Sequence, residues 1–282
     1  IEEMMIAANV AAARLLSQAS HDPNPKTQQV ARATLYRRHD PPPSEKHTAL
    51  LSSLKNFRYE ITGGAVPRNR FYRQVLSQAE KRGQSPLMSR LILAAQSQAI
   101  YHPAPQNEQE IGHFGLGLDF YCHFTSPIRR YADLVVHRAI IGVLGLTREG
   151  KTAMQPASPH PAPESMSELA GHVSRCERRA MAAERGANDR YVAAFLAGKK
   201  MAKLSATISS VTKFGLFVTL VDYASDGLLP MRGLPQDYYH FDAVKSCLIG
   251  ERRHRVFRLG DEIEVMLAEC DLITGQISFR LA

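Results

Sequence analysis

The sequence has 282 residues, 44% of them hydrophobic, with a net charge of +8 and a pI near 9.4. That suffices for one large domain or two smaller ones with a buried core, and the basic balance favours a polyanionic partner. No apolar run resembles a transmembrane helix or signal peptide, the eleven histidines show no zinc-binding spacing, and the four scattered cysteines read as reduced thiols of a cytoplasmic protein.

The chain opens on IEEMMIAANVAAARLL, a predicted helix whose apolar stripe is Ile1, Met5, Ala8, Ala12 and Leu15. No capping residue precedes Ile1, so the sequence reads as starting inside a domain. An adjacent stripe of Glu2, Ile6, Asn9 and Ala13 marks either a polar site or a wet helix edge. Residues 21–34 lack a period and read as an insertion loop. Ser44 is placed to cap a helix to about Leu54. A loop with Gly63, Gly64 and Pro67 leads to helices over 71–80 and 86–100, the second with Leu87, Leu91, Ala94 and Ala95 as its core face. A loop from His102 follows.

Ser126-Pro127 then reads as an N-cap and first helical residue, opening an apolar helix over 128–144. Its first turn carries Arg129 and Arg130, the wrong sign for the positive end of a helix dipole. Free N–H groups with two guanidinium forks make a phosphate site; the alternative pairs both arginines with carboxylates elsewhere. Asp133, three or four residues on, is placed to hold either arginine.

Residues 145–163 read as a surface loop. Ser165 and Glu168 have capping-box spacing, opening a long helix to about Leu196 with a small-residue stripe through Ala180, Ala183, Ala187 and Ala194. Glu184, at the edge of that stripe, needs a partner such as Arg178, Arg179 or Arg185. After Gly198 the period shifts from helix to strand. The expected domains are therefore 1–198 and 199–282. Five β-rich runs, LSATISSV, KFGLFVTLV, DGLLPM, DEIEVMLAECD and GQISFRL, predict a five-stranded OB-fold barrel. Phe214 and Phe217 share a face only if Gly215 is a bulge; otherwise one of them belongs to the core. Lys213, Arg232, Arg252, Arg253, His254, Arg255 and Arg258 supply charge for a phosphate path.

Several of these stretches resemble one family. HFGLGLDFYCHFTSPIRRYADLVVHR, from His113, closely resembles the signature of the RNB family, the ribonuclease II and ribonuclease R exoribonucleases. IEEMMIAANVAAA, LYRRHDPPPSEK (a short strand and proline turn) and ERGANDRYVAAFL resemble other parts of it. The resemblance implies an α+β fold, in which the mostly helical distal half of an RNB catalytic domain precedes the OB barrel. It implies processive 3′→5′ hydrolysis of single-stranded RNA to nucleoside 5′-monophosphates with magnesium. It makes Arg129 the catalytic arginine, puts Ser126 and Arg130 among the RNA contacts, and places Glu2 and Glu184 at the 3′-terminal nucleotide. VTKFGLFV with DGLLP resembles the S-one RNA-binding module, whose stacking pair falls on Phe214 and Phe217 beside Lys213 and Arg232; LPQDYYHFD and FRLGDEIEV resemble the version attached to ribonuclease R. Pro230 stands where many members have histidine.

The family's aspartate-rich motif, which would hold magnesium, is not matched in this sequence. The chain is therefore expected to be a fragment, inactive alone, with the magnesium ligands in a missing N-terminal half that partners it. Single-stranded RNA is the other expected partner, no membrane is involved, and the complete protein is expected to be a monomer. The alternative is a non-catalytic RNA-binding protein of the same family.

Overall fold

The computed structural model of the chain describes residues 1–60, 66–104, 112–148, 151–152, 163–199, 202–223, 225–242 and 245–282. Two units divide it. One comprises Ile1–Lys46, Ala65–Arg70 and Ala95–Arg179; the other comprises His47–Gly64, Phe71–Ala94 and Ala180–Ala282. The Gly63-Gly64 loop and most of 149–162 lie outside the described residues.

In the first unit, helix α1 (Glu2–Ala19) starts with Glu2 and Glu3, the favourable charge at a helix N-terminus. Its buried face is Asn9, Ala12, Ala13 and Leu16 rather than the predicted stripe, and Ile1 is fully exposed. Asn9, a polar residue, is buried on this face beside Ala12 and Ala13. Residues 21–34 are not a plain loop. Asn24 accepts a hydrogen bond from the Lys26 amide, Pro25 takes the first helical position, and α2 (Pro25–Arg32) follows. β1 (Leu35–Arg38) pairs antiparallel with β2 (Ile100–Pro103), a strand the predicted helix and loop had concealed. α3 (Ser44–Asn56) and α4 (Asn69–Lys81), which fall almost wholly in the second unit, lie close to their predicted spans. α5 (Ser85–Ala95), also of the second unit, ends at Ala95 rather than at 100 and buries Met88, Ile92 and Ala95, while Ala94 of the predicted core face is exposed. α6 (Tyr131–Leu144) packs its Val136 and Ala139 against Ala12, Ala13 and Leu16 of α1. Gly142 lets α2 approach closely: a methyl group there would meet Val30 Cγ1 at 2.6 Å. β3 (Thr147–Arg148) and β4 (Lys151–Thr152) form a short hairpin.

α7 runs unbroken from Pro163 to Ala197. Its first residue is Pro163, so Ser165 and Glu168 sit inside the helix rather than at its N-cap. Met166 and Ala170 pack with Leu35, Tyr101, Ala132 and Val135. The predicted stripe is not buried in its middle: Ala180, Ala183, Glu184 and Ala187 are all exposed.

In the second unit a closed five-stranded barrel forms, as the five β-rich runs predict. β5 (Lys203–Thr212), β6 (Gly215–Leu220), β7 (Asp226–Pro230), β11 (Glu262–Cys270) and β12 (Ile277–Leu281) pair in the order β11-β12-β7-β6-β5. Alternation puts Leu204, Ala206 and Ile208 of β5 inward to meet Leu216, Val218, Val265 and Phe279. The end of α7 adds Ala193 and Leu196 to this core. Between β7 and β11 lies a separate three-stranded sheet of β8 (Tyr239–Asp242), β9 (Cys247–Gly250) and β10 (Val256–Arg258). These strands of three or four residues carry no clear alternation in the sequence. Among the described residues no helix is long and apolar enough to cross a membrane.

Candidate nucleic-acid interface

The predicted helix start at Ser126-Pro127 is a turn instead. The Ser126 carbonyl accepts from the Arg129 amide (3.2 Å) and the Arg130 amide (3.1 Å), and Pro127 takes the second turn position, where its fixed φ also fits. Arg130 is extended (φ −125°, ψ 118°) and α6 begins only at Tyr131. The cause is Asp133. Its buried carboxylate accepts from the Ser126 amide at 2.7 Å, which fixes the segment ahead of the helix rather than letting Ser126 cap it. The same carboxylate grips Arg130 with two hydrogen bonds, from Nε (2.9 Å) and Nη2 (2.8 Å).

The two arginines are therefore unlike. Arg130 is neutralised and held; Asp133 does not reach for Arg129. Arg129 is exposed and makes no side-chain hydrogen bond or ion pair with any described residue. Neighbouring Ile128 is fully exposed at the tip of the turn.

A layer of buried polar and aromatic side chains supports this turn. Asn9 resolves neither as a wet edge nor as an open site. It is 3% exposed; its Oδ1 accepts from the amides of Phe124 (2.9 Å) and Thr125 (3.2 Å), and its Nδ2 donates to the Tyr121 hydroxyl (3.2 Å). His137 stacks on Phe124 with ring centres 4.3 Å apart, and its Nε2 hydrogen-bonds the Phe124 carbonyl at 2.9 Å. The Tyr101 hydroxyl and His123 Nδ1 lie 2.9 Å apart. Burial pushes the Tyr101 phenol up to about 12 and the His123 imidazole down to about 3, the nearby Arg130 and Arg37 charges adding to the imidazole's shift. Both groups are thus neutral at pH 7. Burial, with His39 and Arg37 adding, lowers His113 to about 4. Arg37 lies over the Tyr101 ring at 4.7 Å and pairs with Glu177 at 2.8 Å. Glu2 lies in the same unit, exposed in the first turn of α1 and without a hydrogen bond or ion pair to a described residue.

In the second unit Phe214 and Phe217 are 53% and 36% exposed, so neither belongs to the core. Their rings meet edge to face at 6.1 Å. The bulge that the alternation problem demands is not at Gly215 but in β5, between Ile208 and Ser210. Phe214 escapes the alternation because it sits in the β5–β6 turn, beside exposed Lys213. There the Thr212 hydroxyl donates to the Gly215 carbonyl (2.8 Å). Gly215 (φ +150°) is required, since a side chain would meet the Leu229 carbonyl at 2.5 Å. Arg232, just past β7, reaches Glu269 at 3.4 Å in an exposed, weak pair. Glu184 is exposed and lines one cavity with Phe217; the expected pairing with Arg178, Arg179 or Arg185 is not formed. Arg252, Arg253, Arg255 and Arg258 are exposed, and the Asp237 carboxylate fixes their loop by accepting from the amides of Arg252 (3.0 Å) and Arg253 (2.9 Å).

Among the described residues no three His, Cys, Asp or Glu side chains come together in a way that would hold a metal ion. The described residues therefore do not fit the magnesium that the family resemblance implies.

The RNB domain family matches residues 1–145, and the S1 RNA binding domain family matches residues 199–281. The chain belongs to the RNB family. Among RNB relatives it is 38% identical to ribonuclease R of Escherichia coli K12 and 34% identical to ribonuclease R of Vibrio cholerae, covering all of this chain but 33% and 32% of those proteins. The chain thus spans about a third of the length of the relatives it matches. Its fold superposes on Mycoplasma genitalium RNase R, solved in complex with ribose-methylated single-stranded RNA, with a TM-score of 0.82 and 26% identity, over all of this chain and 41% of that one.

Proposed function

We propose that this chain is the distal part of the catalytic domain (1–198) and the RNA-binding OB module (199–282) of a 3′→5′ exoribonuclease acting on single-stranded RNA. The observation that carries this is Arg129: within the RNB match, one arginine of the pair is neutralised by Asp133 while the other is left exposed on a fixed turn. A free guanidinium on a rigid mount is suited to a phosphate, and to charge developing on it in the transition state. In this reading Arg129 is the catalytic residue, Ser126 and Arg130 shape the phosphate turn, and Glu2 and Glu184 contact the terminal nucleotide. Phe214 and Phe217 stack on incoming bases, with Lys213 and Arg232 along the phosphates. Magnesium and its carboxylate ligands belong to the remainder of the complete protein, so this chain alone does not hydrolyse RNA. The complete protein is a cytoplasmic monomer, in keeping with four free cysteines in this chain.

The test is Arg129→Lys in the complete protein. Lysine keeps the charge but not the two-pronged fork. Single-turnover cleavage is expected to fall about 10²–10³-fold, with RNA affinity much less affected. Arg130→Lys is expected to act through stability instead. Near-normal cleavage by a folded Arg129→Lys protein removes Arg129 from the catalytic role.

A further inference from the structure

A cavity of about 830 Å³ lies between the second half of α7 and the barrel rim formed by β6, β7 and β12. It falls within the range of small-ligand sites and has room for a nucleoside. Its walls are fixed elements. The β11–β12 turn sits directly on α7, because a side chain at Gly275 would meet the Asp189 and Arg190 backbone at 2.9 Å. Arg190 Nε donates to the Ile273 carbonyl (2.7 Å), and Cys270 Sγ to the Ala193 carbonyl (3.0 Å).

The residues that line it include half-exposed Phe217, the amide residues Asn188 and Gln276, and the acidic residues Glu184, Asp189 and Asp226. Asp226 is held by Arg90 (3.4 Å) and by the Thr219 hydroxyl. The side chains of Asn188, Asp189, Glu184 and Gln276 make no hydrogen bond to a described residue. Charge decides the ligand class. In a chain of net charge +8, this lining carries three carboxylates; Arg90 takes up that of Asp226, which leaves Glu184 and Asp189 against the guanidinium of Arg185. A phosphate is repelled there. A flat, uncharged ring with N–H groups on its edge is accepted: the face stacks on Phe217 and the edge donates to carboxylate and amide oxygens.

We infer that this cavity takes an unpaired nucleobase bearing an exocyclic amine, so that the module reads base identity as well as the RNA backbone. This rests on the reading of the chain as RNA-binding. Adenine and cytosine present an amine donor where uracil presents a carbonyl, and uracil's single ring N–H lies between two carbonyls that the carboxylates repel.

The experiment uses the 282-residue chain and labelled oligoadenylate, oligocytidylate and oligouridylate of equal length, with binding followed by fluorescence anisotropy. The adenylate and cytidylate strands are expected to bind about fivefold or more tighter than the uridylate strand, the low end of what an edge contact supplies. Asn188→Ala with Gln276→Ala, and separately Asp189→Asn, are expected to bring all three strands to the uridylate affinity while leaving uridylate binding and the melting temperature unchanged. Equal affinities in the unaltered chain, or a preference that survives both variants, overturn the inference while leaving RNA binding intact. Absence of binding to any strand overturns the RNA-binding reading as well.

Discussion

At the scale of single residues, Asp133 separates two adjacent arginines into a bound one and a free one. Its carboxylate is wholly buried and satisfies three donors: the Ser126 amide and both nitrogens of the Arg130 fork. Asp133→Ala leaves a half-buried guanidinium without its counter-charge, so the expected loss is about 3–5 kcal/mol in urea unfolding. Arg129→Ala removes nothing but solvated charge and is expected to lie within about 0.5 kcal/mol of the parent. Equal destabilisation by the two contradicts this division. The neighbouring imidazoles add a pH dependence. His113 and His123 have folded values of about 4 and about 3, below the ordinary 6.5, so the unfolded chain binds more protons between those limits. Stability therefore is full above pH 6.5 and falls as the pH drops from about 6.5 towards 4, at up to about 1.4 kcal/mol per pH unit for each proton taken up. Replacing both histidines by glutamine is expected to flatten the melting-temperature profile across that window. A profile as steep as the parent's places the dependence elsewhere. Arg129 and Asp133 were visible in the sequence as charged residues at helical spacing. Which arginine the carboxylate would choose was not, because that depends on the Ser126 amide, a backbone group with no sequence signature.

At the scale of elements, long periodic or alternating segments were legible, and their ends were not. The barrel strands followed from β-rich alternation, and α3, α4 and α7 from helical composition and period. The start of α6 was misplaced by Ser126-Pro127, since a serine-proline pair suits a turn as well as a helix N-terminus. α2 was hidden by its polar composition, although Asn24-Pro25 was a usable start signal. β8, β9 and β10 are three or four residues long, too short to show an alternation. The burial predicted for the middle of α7 failed because small residues at helical spacing permit close packing without requiring it. One packing contact is directly testable. Val30 of α2 occupies the space over Gly142 of α6, and its branched side chain has little rotamer freedom. Gly142→Ala is expected to lower stability by about 1–3 kcal/mol despite alanine's better helix propensity. Adding Val30→Ala should recover a large part of that loss in a double-mutant cycle. Purely additive losses rule the contact out as the cause.

At the scale of the whole molecule, the chain has a net charge of +8, and Lys213, Arg252, Arg253, Arg255 and Arg258 are exposed on the barrel turn and basic loop described above. If about four to six basic side chains meet phosphates, the log–log dependence of RNA affinity on salt is expected to have a slope of roughly −3 to −4, about −0.7 for each contact with a single strand. Phe214→Ala or Phe217→Ala should weaken binding while preserving the slope, because stacking releases no counterions. A flat salt response, or silence of both substitutions, argues against RNA as the ligand of this face.

The hoop of the barrel has a consequence in time. β5 finds one neighbour at once, in the hairpin with β6, but its other neighbour is β11, where Lys203 pairs with Met266 and Thr207 with Glu262. Such non-local pairings are slow, because the intervening chain must be ordered before they reward it. As a ribosome delivers the chain from the N-terminus, β5, β6 and β7 emerge as an open ribbon with unpaired backbone on both rims. They wait in that state until β11 and β12 arrive. The strands made last are thus the ones that seal the module, and nascent chains halted before β11 carry the adhesive edges that the finished barrel conceals.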